Sequence, residues 1–499
     1  MNWELAFFVA LVGSCLVGIL WAWQQQQDIE GYLVAHRGIN LVTGGLSTGA
    51  GWIHAPAVLV SGLFAYWGPW HFIAFFVPNV CALLLQAWIA PRLRTKMRAS
   101  GQKWYTMAQA IGAIYGSPAV RTMMFVASFC ALSLAVGYTF AGIRQWVEQL
   151  WGFAAHEISI AIGAASLFFV IFSGLPAAIK SDKVKMAIIG VGIVATLTLA
   201  ITVALGGVAA FGPPLQALER GLSPGQVLWF IGVPFAASLL GGPMCNPDLP
   251  ERLLAIEEKS VRLAYVQGAM YFALATLTFG LFGYVARLLG IAAGPGQLPI
   301  VAVTQYLLPG WGLYVVTVGI IAILTMALAS LLASAGDVVS IELIQRFFRP
   351  HASDRETIAW SRASMLTVIL VGSYLTSFKQ INVAFLLESM AVVRGEAIFP
   401  VIFAAACAIG RVDPRYVFGG IIAGFTGGLV IFLGWFAMDP NLSKAFPLIA
   451  SLGKPIGELP LVAVHGKAMA SLWAVFVPCI GCVLGLKPNI QVAPATNGT

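Results

Sequence analysis

Apolar runs of about twenty residues recur along the whole of this 499-residue chain. A run of that length crosses the hydrocarbon core of a bilayer as a helix, because in lipid every backbone N–H and C=O group needs a partner within the segment. Only 10% of the residues are charged and 59% are hydrophobic, whereas roughly 25% of an ordinary soluble domain is charged. The chain is therefore predicted to be an all-α integral membrane protein in contact with the lipid bilayer.

The apolar runs predict about thirteen transmembrane helices. Their limits are 5–23, 39–65, 67–91, 120–147, 156–174, 186–210, 225–245, 263–289, 311–338, 358–378, 383–409, 415–437 and 464–486. No connecting segment is long enough to form a soluble domain. The seven cysteines are dispersed through the apolar runs, which argues against a disulfide framework.

Positive charge is unevenly divided between the two sets of loops. Most of the 28 Lys and Arg residues lie in loops that follow odd-numbered spans. Because positively charged loops remain on the cytoplasmic side, the N-terminus is predicted outside and the C-terminus in the cytoplasm. We expect a multi-pass protein of the cell membrane, which in a bacterium is the inner membrane. The net charge of +8 is then a topology signal, and no nucleic-acid partner is expected.

Two spans contain residues that interrupt helices. Span 2 contains GGLSTGAGWIHAP (44–56), and span 7 contains LLGGPMCNP (239–247) shortly after a Val-Pro pair. Glycine and proline weaken a helix, and irregular backbone at membrane depth is tolerated only where it is buried in protein or lines a cavity. Such interruptions in matching positions of two halves indicate a transport site. The alternative is that the glycines allow close helix packing.

The interrupted spans are five apart, so spans 2–6 and 7–11 could form two repeats. Five is an odd number, so the second repeat would run inverted in the membrane. The predicted organisation is a first helix and loop (1–38), a first five-helix repeat (39–210), a second five-helix repeat (211–410) and two C-terminal helices with a short tail (411–499).

Three stretches resemble the sodium:solute symporters, the family of the proline permease and the sodium–glucose transporters. GYLVAHRGINLVTGGLSTGAGWIHA (31–55) resembles the family's YxxxGR loop leading into LSxxATWISA. NPDLPERLLAIEE (246–258) resembles its Q…QRxLAA loop. GIIAILTMALASLLASAGDVVSIELIQRFFRPHAS (319–353) resembles its ninth helix, with a MSTxxS core and a DLYKxF end. The resemblance implies a LeuT-type five-plus-five inverted repeat with broken helices 2 and 7.

The resemblance also implies a sodium site between helices 2 and 9. It assigns backbone carbonyls to Ala50, Ile53 and Ile323, and two side-chain hydroxyls to the positions of Met326 and Ala327. Neither of those two side chains is a ligand for a hard cation, since a thioether is a soft donor and a methyl group is none. The sodium site is therefore degenerate in this sequence.

Three explanations fit this degenerate site: a different coupling ion, no coupling, or a site shifted along helix 9 toward Ser330. We favour lost or altered sodium coupling. No cofactor is expected, and the candidate coupling ions are Na⁺ and H⁺.

Five residues are candidates for the substrate site: Trp52, His54, Trp229, Phe235 and Arg394. The resemblance places His54 at the substrate cavity, where most relatives have a small residue. Its imidazole could bind a carboxylate, carry a proton or make a structural hydrogen bond. Arg394, predicted inside span 11, could hold an anionic group in two hydrogen bonds or form an internal salt bridge. Together His54 and Arg394 favour a carboxylate-bearing solute.

The leading hypothesis is a secondary active transporter of a small organic solute that works by alternating access. The alternatives are a proton-coupled or uncoupled transporter, and a sensor or receptor with a separate signalling partner. An enzyme is not expected, because the sequence has no P-loop, HExxH or GxSxG motif. The sequence leaves the oligomeric state open.

Overall fold

The computed structural model describes residues 28–99, 101–151, 155–206, 222–291, 293, 297–307, 310–376, 398–407, 412–445 and 447–486. Across these ranges the protein is all-helical, and the β pairing consists of two isolated bridges. The predicted first span, the greater part of span 11 and Arg394 lie outside the described residues.

The helices follow one another as a single series. They are α1 Ile29–Val34, α2 Leu41–Trp52, α3 Ser61–Trp67, α4 Pro69–Ala99, α5 Met107–Ile114, α6 Pro118–Trp151, α7 Ala155–Val170, α8 Leu175–Gly206, α9 Pro224–Val227, α10 Val233–Cys245, α11 Asp248–Ala255, α12 Val261–Leu288, α13 Pro299–Leu307, α14 Gly310–Val338, α15 Asp354–Thr376, α16 Phe399–Cys407, α17 Pro414–Met438, α18 Pro440–Ala445, α19 Pro447–Gly457 and α20 Pro460–Leu484. Stretches of π-helix at Pro56–Val60, Leu228–Gly232 and Val339–Phe348 connect to α3, α10 and α14.

Seven helical segments within the described residues are long and apolar enough to cross a membrane. They are Pro69–Ala99, Pro118–Leu150, Pro224–Cys245, Glu258–Leu288, Val315–Phe348, Pro414–Met438 and Pro460–Leu484. Two bent pairs also pass when each pair is taken together, Leu41–Trp52 with Pro56–Trp67 and Glu157–Val170 with Leu175–Ile193. The protein is thus a multi-pass helical membrane protein, while the total of thirteen spans stays a prediction.

The interruption predicted in span 2 is present, and it follows Trp52. Helix α2 ends there, Ile53 has an extended backbone conformation, and the chain resumes as helix at Pro56 with a bend of 72°. Proline has no N–H group, so it cannot donate to the carbonyl of Trp52 four residues earlier. The proline therefore helps to set where the helix stops, and the carbonyls before it need other donors.

The glycines of span 2 allow close packing and lie before the break, within the regular helix α2. A Cβ atom on Gly45 would clash with Oε1 of Gln267, and one on Gly49 would lie 2.9 Å from the carbonyl oxygen of Gly268. Both neighbours belong to α12. The packing alternative therefore accounts for these glycines, and the break itself depends on the residues that follow Trp52.

Span 7 differs from its prediction. The helix continues from Pro224 to Cys245, and the irregularity is the π-helical turn Leu228–Gly232 just before Pro234. A π turn absorbs an extra residue without ending the helix, so the missing N–H of Pro234 is accommodated inside a continuous span. The prediction of a broken helix 7 is corrected to a helix with a π turn.

Helix α2 and the segment after α11 are held together at one end of the molecule. The N–H of Ile39 donates to the carbonyl of Ala255 (3.1 Å), and the N–H of Glu257 donates to the carbonyl of Ile39 (3.0 Å). The side chain of Asn40 caps α2 by accepting from the N–H of Thr43. These bonds place the loop after span 7 beside the start of the interrupted span.

We predict that Gly49→Ala destabilises the protein. The new Cβ would meet the carbonyl oxygen of Gly268 at 2.9 Å and the Cβ of Tyr271 at 2.8 Å, and overpacking of this kind costs about 1–3 kcal/mol. The free energy of unfolding should fall by that amount, measured as a lower unfolding temperature of the detergent-purified protein.

The matched control is Gly190→Ala, because a Cβ at this helical glycine meets no atom within 4 Å. It should leave stability unchanged or raise it by up to about 1 kcal/mol, since alanine favours the helix over glycine. Equal unfolding temperatures for the two variants would contradict the packing role of Gly49.

Candidate functional site

A cavity lies beside the break of span 2. It encloses about 330 Å³ of space, including its open side. The lining residues are mostly aromatic or aliphatic, with a few polar groups: Trp52, His54, Pro56, Ala57, Phe75, Asn79, Tyr138, Phe235, Leu239 and Phe272. A mostly apolar cavity with a few fixed polar groups is the usual form of a small-solute site.

The polar groups of the cavity are held in place by neighbouring elements. Trp52 Nε1 donates to Asn79 Oδ1 (3.1 Å), and Asn79 Nδ2 donates to the carbonyl of Phe75 (2.8 Å). The ring of His54 lies 6.4 Å from that of Trp52 and 6.0 Å from that of Tyr138. The break in span 2 therefore turns two rings, Trp52 and His54, toward one space.

His54 connects the cavity to a buried carboxylate. Its Nε2 lies 3.1 Å from Oδ2 of Asp248, and both residues are almost fully buried. Asp248 is the first residue of α11, which follows span 7. A carboxylate at this distance fixes the ring orientation and favours a proton on Nε2.

Lys185 binds the two backbone carbonyls at the break. Its Nζ donates to the carbonyl oxygens of Ala50 and Ile53, each at 2.6 Å, and the side chain is fully buried. In a continuous helix these oxygens would accept from the N–H groups of His54 and Ala57. At the break, the lysine ammonium supplies charge-assisted donors to both.

Two of the three backbone carbonyls that the resemblance assigns to a sodium ion are hydrogen-bonded to a side chain. The carbonyls of Ala50 and Ile53, which the family resemblance assigns to sodium, already bind the ammonium group of Lys185. Met326 and Ala327 have no side-chain oxygen and are buried in α14, as is Ile323. The ammonium group of Lys185 therefore occupies the position at these carbonyls where the resemblance implies a sodium ion.

Arg252 organises a buried polar network next to Lys185. It donates to Ser47 Oγ (2.8 Å), the Asp248 carbonyl (2.5 Å), Asp182 Oδ2 (2.7 Å) and Ser330 Oγ (3.1 Å). A Cβ atom at Gly51 would lie 2.7 Å from the guanidinium carbon, so the glycine makes room for the arginine. Ser330, the residue toward which a shifted ion site was considered, contacts Arg252.

The charges of this network balance. Two cations, Lys185 and Arg252, lie with two carboxylates, Asp182 and Asp248, and all four side chains are fully buried. Ser47 Oγ also donates to Asp182 Oδ2 (2.6 Å). Buried charges are tolerated when they are paired and hydrogen-bonded, so the network ties α2, α8, α11 and α14 together.

The structure separates the residues predicted for the substrate site. Trp52, His54 and Phe235 line the cavity. Trp229 lies outside it, 37% exposed, and its Nε1 donates to His465 Nδ1 of α20 (3.2 Å). Arg394 is outside the described residues.

The sequence pattern did not predict the roles of Lys185, Asp182 and Arg252. Lys185 and Asp182 precede the span predicted to begin at residue 186, whereas the helix α8 begins at Leu175. The available signal was the spacing of Asp182 and Lys185, which places both on one face of a helix. Arg252 lies in the PERLLA stretch, where only its family resemblance was noted.

The comparisons with known proteins agree with a transporter. No family model matches the chain. It is 22% identical over 462 residues to the sodium/proline symporters of Escherichia coli (strain K12) and Salmonella typhimurium (strain LT2), with 86% of each chain covered. Its fold is similar to that of a Na⁺-coupled sialic acid symporter in a substrate-bound outward-open state, with a TM-score of 0.72, 15% identity and coverage of 97% and 98%.

These likenesses support a symporter-like membrane transporter of a small solute. The relatives are transporters and not enzymes, which fits the non-enzyme prediction. At 15% identity the structural match shows the fold alone.

We predict that Asp182→Asn strongly destabilises the protein. The amide keeps the shape of the side chain but leaves the guanidinium of Arg252 without its nearest carboxylate. Breaking a buried ion pair on one side costs about 3–5 kcal/mol, measured by thermal unfolding of the purified protein.

Glu258→Gln is the control, since it neutralises the partner of the exposed Arg98 at 3.2 Å. An exposed pair contributes about 0–1 kcal/mol, so this variant should unfold close to the wild-type temperature. A small effect of Asp182→Asn, similar to that of the control, would refute the structural role of the network.

Proposed function

We propose that the protein is a secondary active transporter that moves a small organic solute across the membrane by alternating access. The observation that carries the proposal is the aromatic cavity beside the break of span 2, within a fold similar to that of a symporter. The proposal includes thirteen spans, a five-plus-five inverted repeat, an outside N-terminus and a cytoplasmic C-terminus.

We further propose that no sodium ion drives this transporter through the carbonyls of Ala50 and Ile53. A sodium ion couples transport by binding and leaving in each cycle, whereas a lysine ammonium remains attached to its helix. The contacts of Lys185 with both carbonyls at 2.6 Å support this proposal, as does the lack of side-chain oxygens at Met326 and Ala327. Proton coupling and uncoupled transport are both compatible with this arrangement.

The cavity also limits the solute. Trp52, Phe75, Phe235 and Phe272 offer apolar ring surface, and Asn79 is a fixed polar group. A solute with an apolar face and one polar group fits this lining. His54 already faces the carboxylate of Asp248, so Arg394 is the remaining residue that would bind a carboxylate on the solute.

A screen of small metabolites by thermal shift, in sodium and in choline buffers, tests the transport proposal. The screen includes L-proline and sialic acid, because the relatives are described as symporters of these compounds. A ligand that binds the folded state raises its unfolding temperature. The compound with the largest shift is then tested for uptake by proteoliposomes.

We expect saturable uptake of that compound, with the same rate when choline replaces sodium. Uptake that requires sodium would overturn the proposed loss of sodium coupling. A screen and uptake assay without any transported compound would count against the transporter itself.

Lys185→Met tests the attached cation directly. The variant removes the charged donor to both carbonyls and leaves the Ala50 oxygen with the N–H of Ile53 at 3.0 Å. Its unfolding temperature should fall, since a hydrogen bond to a charged group contributes about 1.5–3 kcal/mol. Lys183→Met is the control on the same helix, because Lys183 is exposed and should be replaceable at little cost. A stable Lys185→Met protein would show that the carbonyls do not depend on the ammonium group.

A further inference from the structure

Two buried carboxyl groups, Glu251 and Asp337, lie beside the Arg252 network but outside its charge balance. Glu251 is 2% exposed and Asp337 is fully buried. Ser334 Oγ donates to Glu251 Oε2 (2.5 Å), and Ser334 precedes Asp337 by three residues on α14, which places both on one helix face. The contact with Ser334 therefore brings Glu251 to the face of α14 that carries Asp337.

Three oxygens of this pair have no hydrogen-bond partner among the described residues: Glu251 Oε1, Asp337 Oδ1 and Asp337 Oδ2. The hydroxyl of Ser361 lies beside Asp337 without meeting hydrogen-bond geometry. An ionised carboxylate that is buried without partners carries a high free-energy cost, which a bound proton removes.

The charged groups around the pair leave it uncompensated. Near Glu251 are Asp248 and Arg252, and the two cations of the network are already matched by Asp182 and Asp248. On the other side, Tyr32 of α1 faces Asp337, and its ring lies 5.9 Å from the Arg362 guanidinium.

Arg362 donates to the carbonyl of Ile171. Glu342, further along the same helical segment as Asp337, has its own arginine partner, since Arg121 Nε lies 2.8 Å from its Oε2.

Burial raises the pKa of the Glu251 carboxyl well above its ordinary value.

A second cavity adjoins one member of the pair, Glu251. It encloses about 300 Å³, and its lining includes Glu251, Val338 and Glu342. The same region carries Arg121 and Arg346, which belong to the positively charged loops predicted to face the cytoplasm.

We propose that Glu251 and Asp337 form a proton-binding site that exchanges its proton with the cytoplasmic side and supplies the proton coupling of transport. This inference rests on the proposed function. It identifies H⁺ as the coupling ion at a place separate from the carbonyls of Ala50 and Ile53.

The chemistry of the site favours a proton over a metal ion. Within the part of the chain that the structure describes, no group of three or more His, Cys, Asp or Glu side chains could hold a metal ion. A proton needs only the two carboxyl groups. Two neighbouring buried acids are more stable with one shared proton than with both groups ionised, because the two negative charges repel each other. Binding converts one carboxylate to a carboxyl group and lowers the local negative charge by one.

The site is connected to the solute cavity through residues already described. Glu251 adjoins Arg252 in α11, Arg252 donates to the carbonyl of Asp248, and the Asp248 side chain faces His54. A change of one charge at Glu251 acts on the guanidinium that holds this chain of contacts. Solute binding and proton binding can thereby influence each other.

Infrared difference spectroscopy of the purified protein tests the site without any solute. Between about pH 6 and about pH 10, exposed carboxylates stay ionised because their pKa values are near 4. The wild type should show a carboxylic C=O band at the lower pH that disappears at the higher pH. The band should be weaker in Glu251→Gln and in Asp337→Asn, and lost in the double variant.

Glu258→Gln, at a partly exposed position, should leave the band unchanged. Ser334→Ala keeps both carboxyl groups and removes the donor to Glu251, so it should shift the band's frequency even where the charge variants fold poorly. A wild type without the band, or a double variant that keeps it, overturns the proposal. The wild type could also prove more stable in NaCl than in choline chloride. If Glu251→Gln abolished that difference, the pair would be assigned to a metal ion instead of a proton.

The outcomes separate this inference from the proposed function. A band that depends on Glu251 and Asp337, in a protein without measurable uptake, supports the proton site and removes the transport proposal. Uptake by proteoliposomes together with a missing band supports the transport proposal and removes the proton site.

Discussion

The contact of the Lys185 ammonium with the carbonyls of Ala50 and Ile53 is the interaction on which the centre of this protein depends. A break in a transmembrane helix frees backbone oxygens that cannot be left unpaired in a water-poor interior. Here a side chain of α8 supplies the donors. The break is thereby stabilised from a neighbouring helix, and Trp52 and His54 are held toward the cavity.

Placing a lysine at that position requires compensation elsewhere. Asp182 lies three residues before Lys185, and Arg252 joins them through Asp182 and Ser47. Each added charge needs a partner, which explains why four buried charged side chains from two helices, α8 and α11, occur together. Asp182 has an ion-pair partner in Arg252 and Asp248 lies beside His54. Glu251 and Asp337 stand outside this charge balance, and that difference distinguishes the structural network from a pair that can bind a proton.

Much of the fold was readable from the sequence. Apolar length predicted a multi-pass helical protein, and the residues around Pro56 predicted the interruption of span 2, which the structure has with a 72° bend. The same reasoning was wrong for span 7, because a π turn before Pro234 absorbs the irregularity without ending the helix. Local sequence does not show whether a neighbouring helix supplies the missing donors, so it could not distinguish the two cases.

For the candidate site, the sequence by itself determined that two side-chain hydroxyls of the implied sodium site are absent. Met326 and Ala327 carry no side-chain oxygen, whatever the fold. Only the tertiary structure decided what stands at the carbonyls, because Lys185 is 132 residues from Ile53 and reaches it through helix packing. The pairing of Glu251 with the face of α14 is likewise a long-range contact, 83 residues apart. Lys185 and Asp182, which the sequence predicts in a loop, are buried because helix packing brings their partners to them.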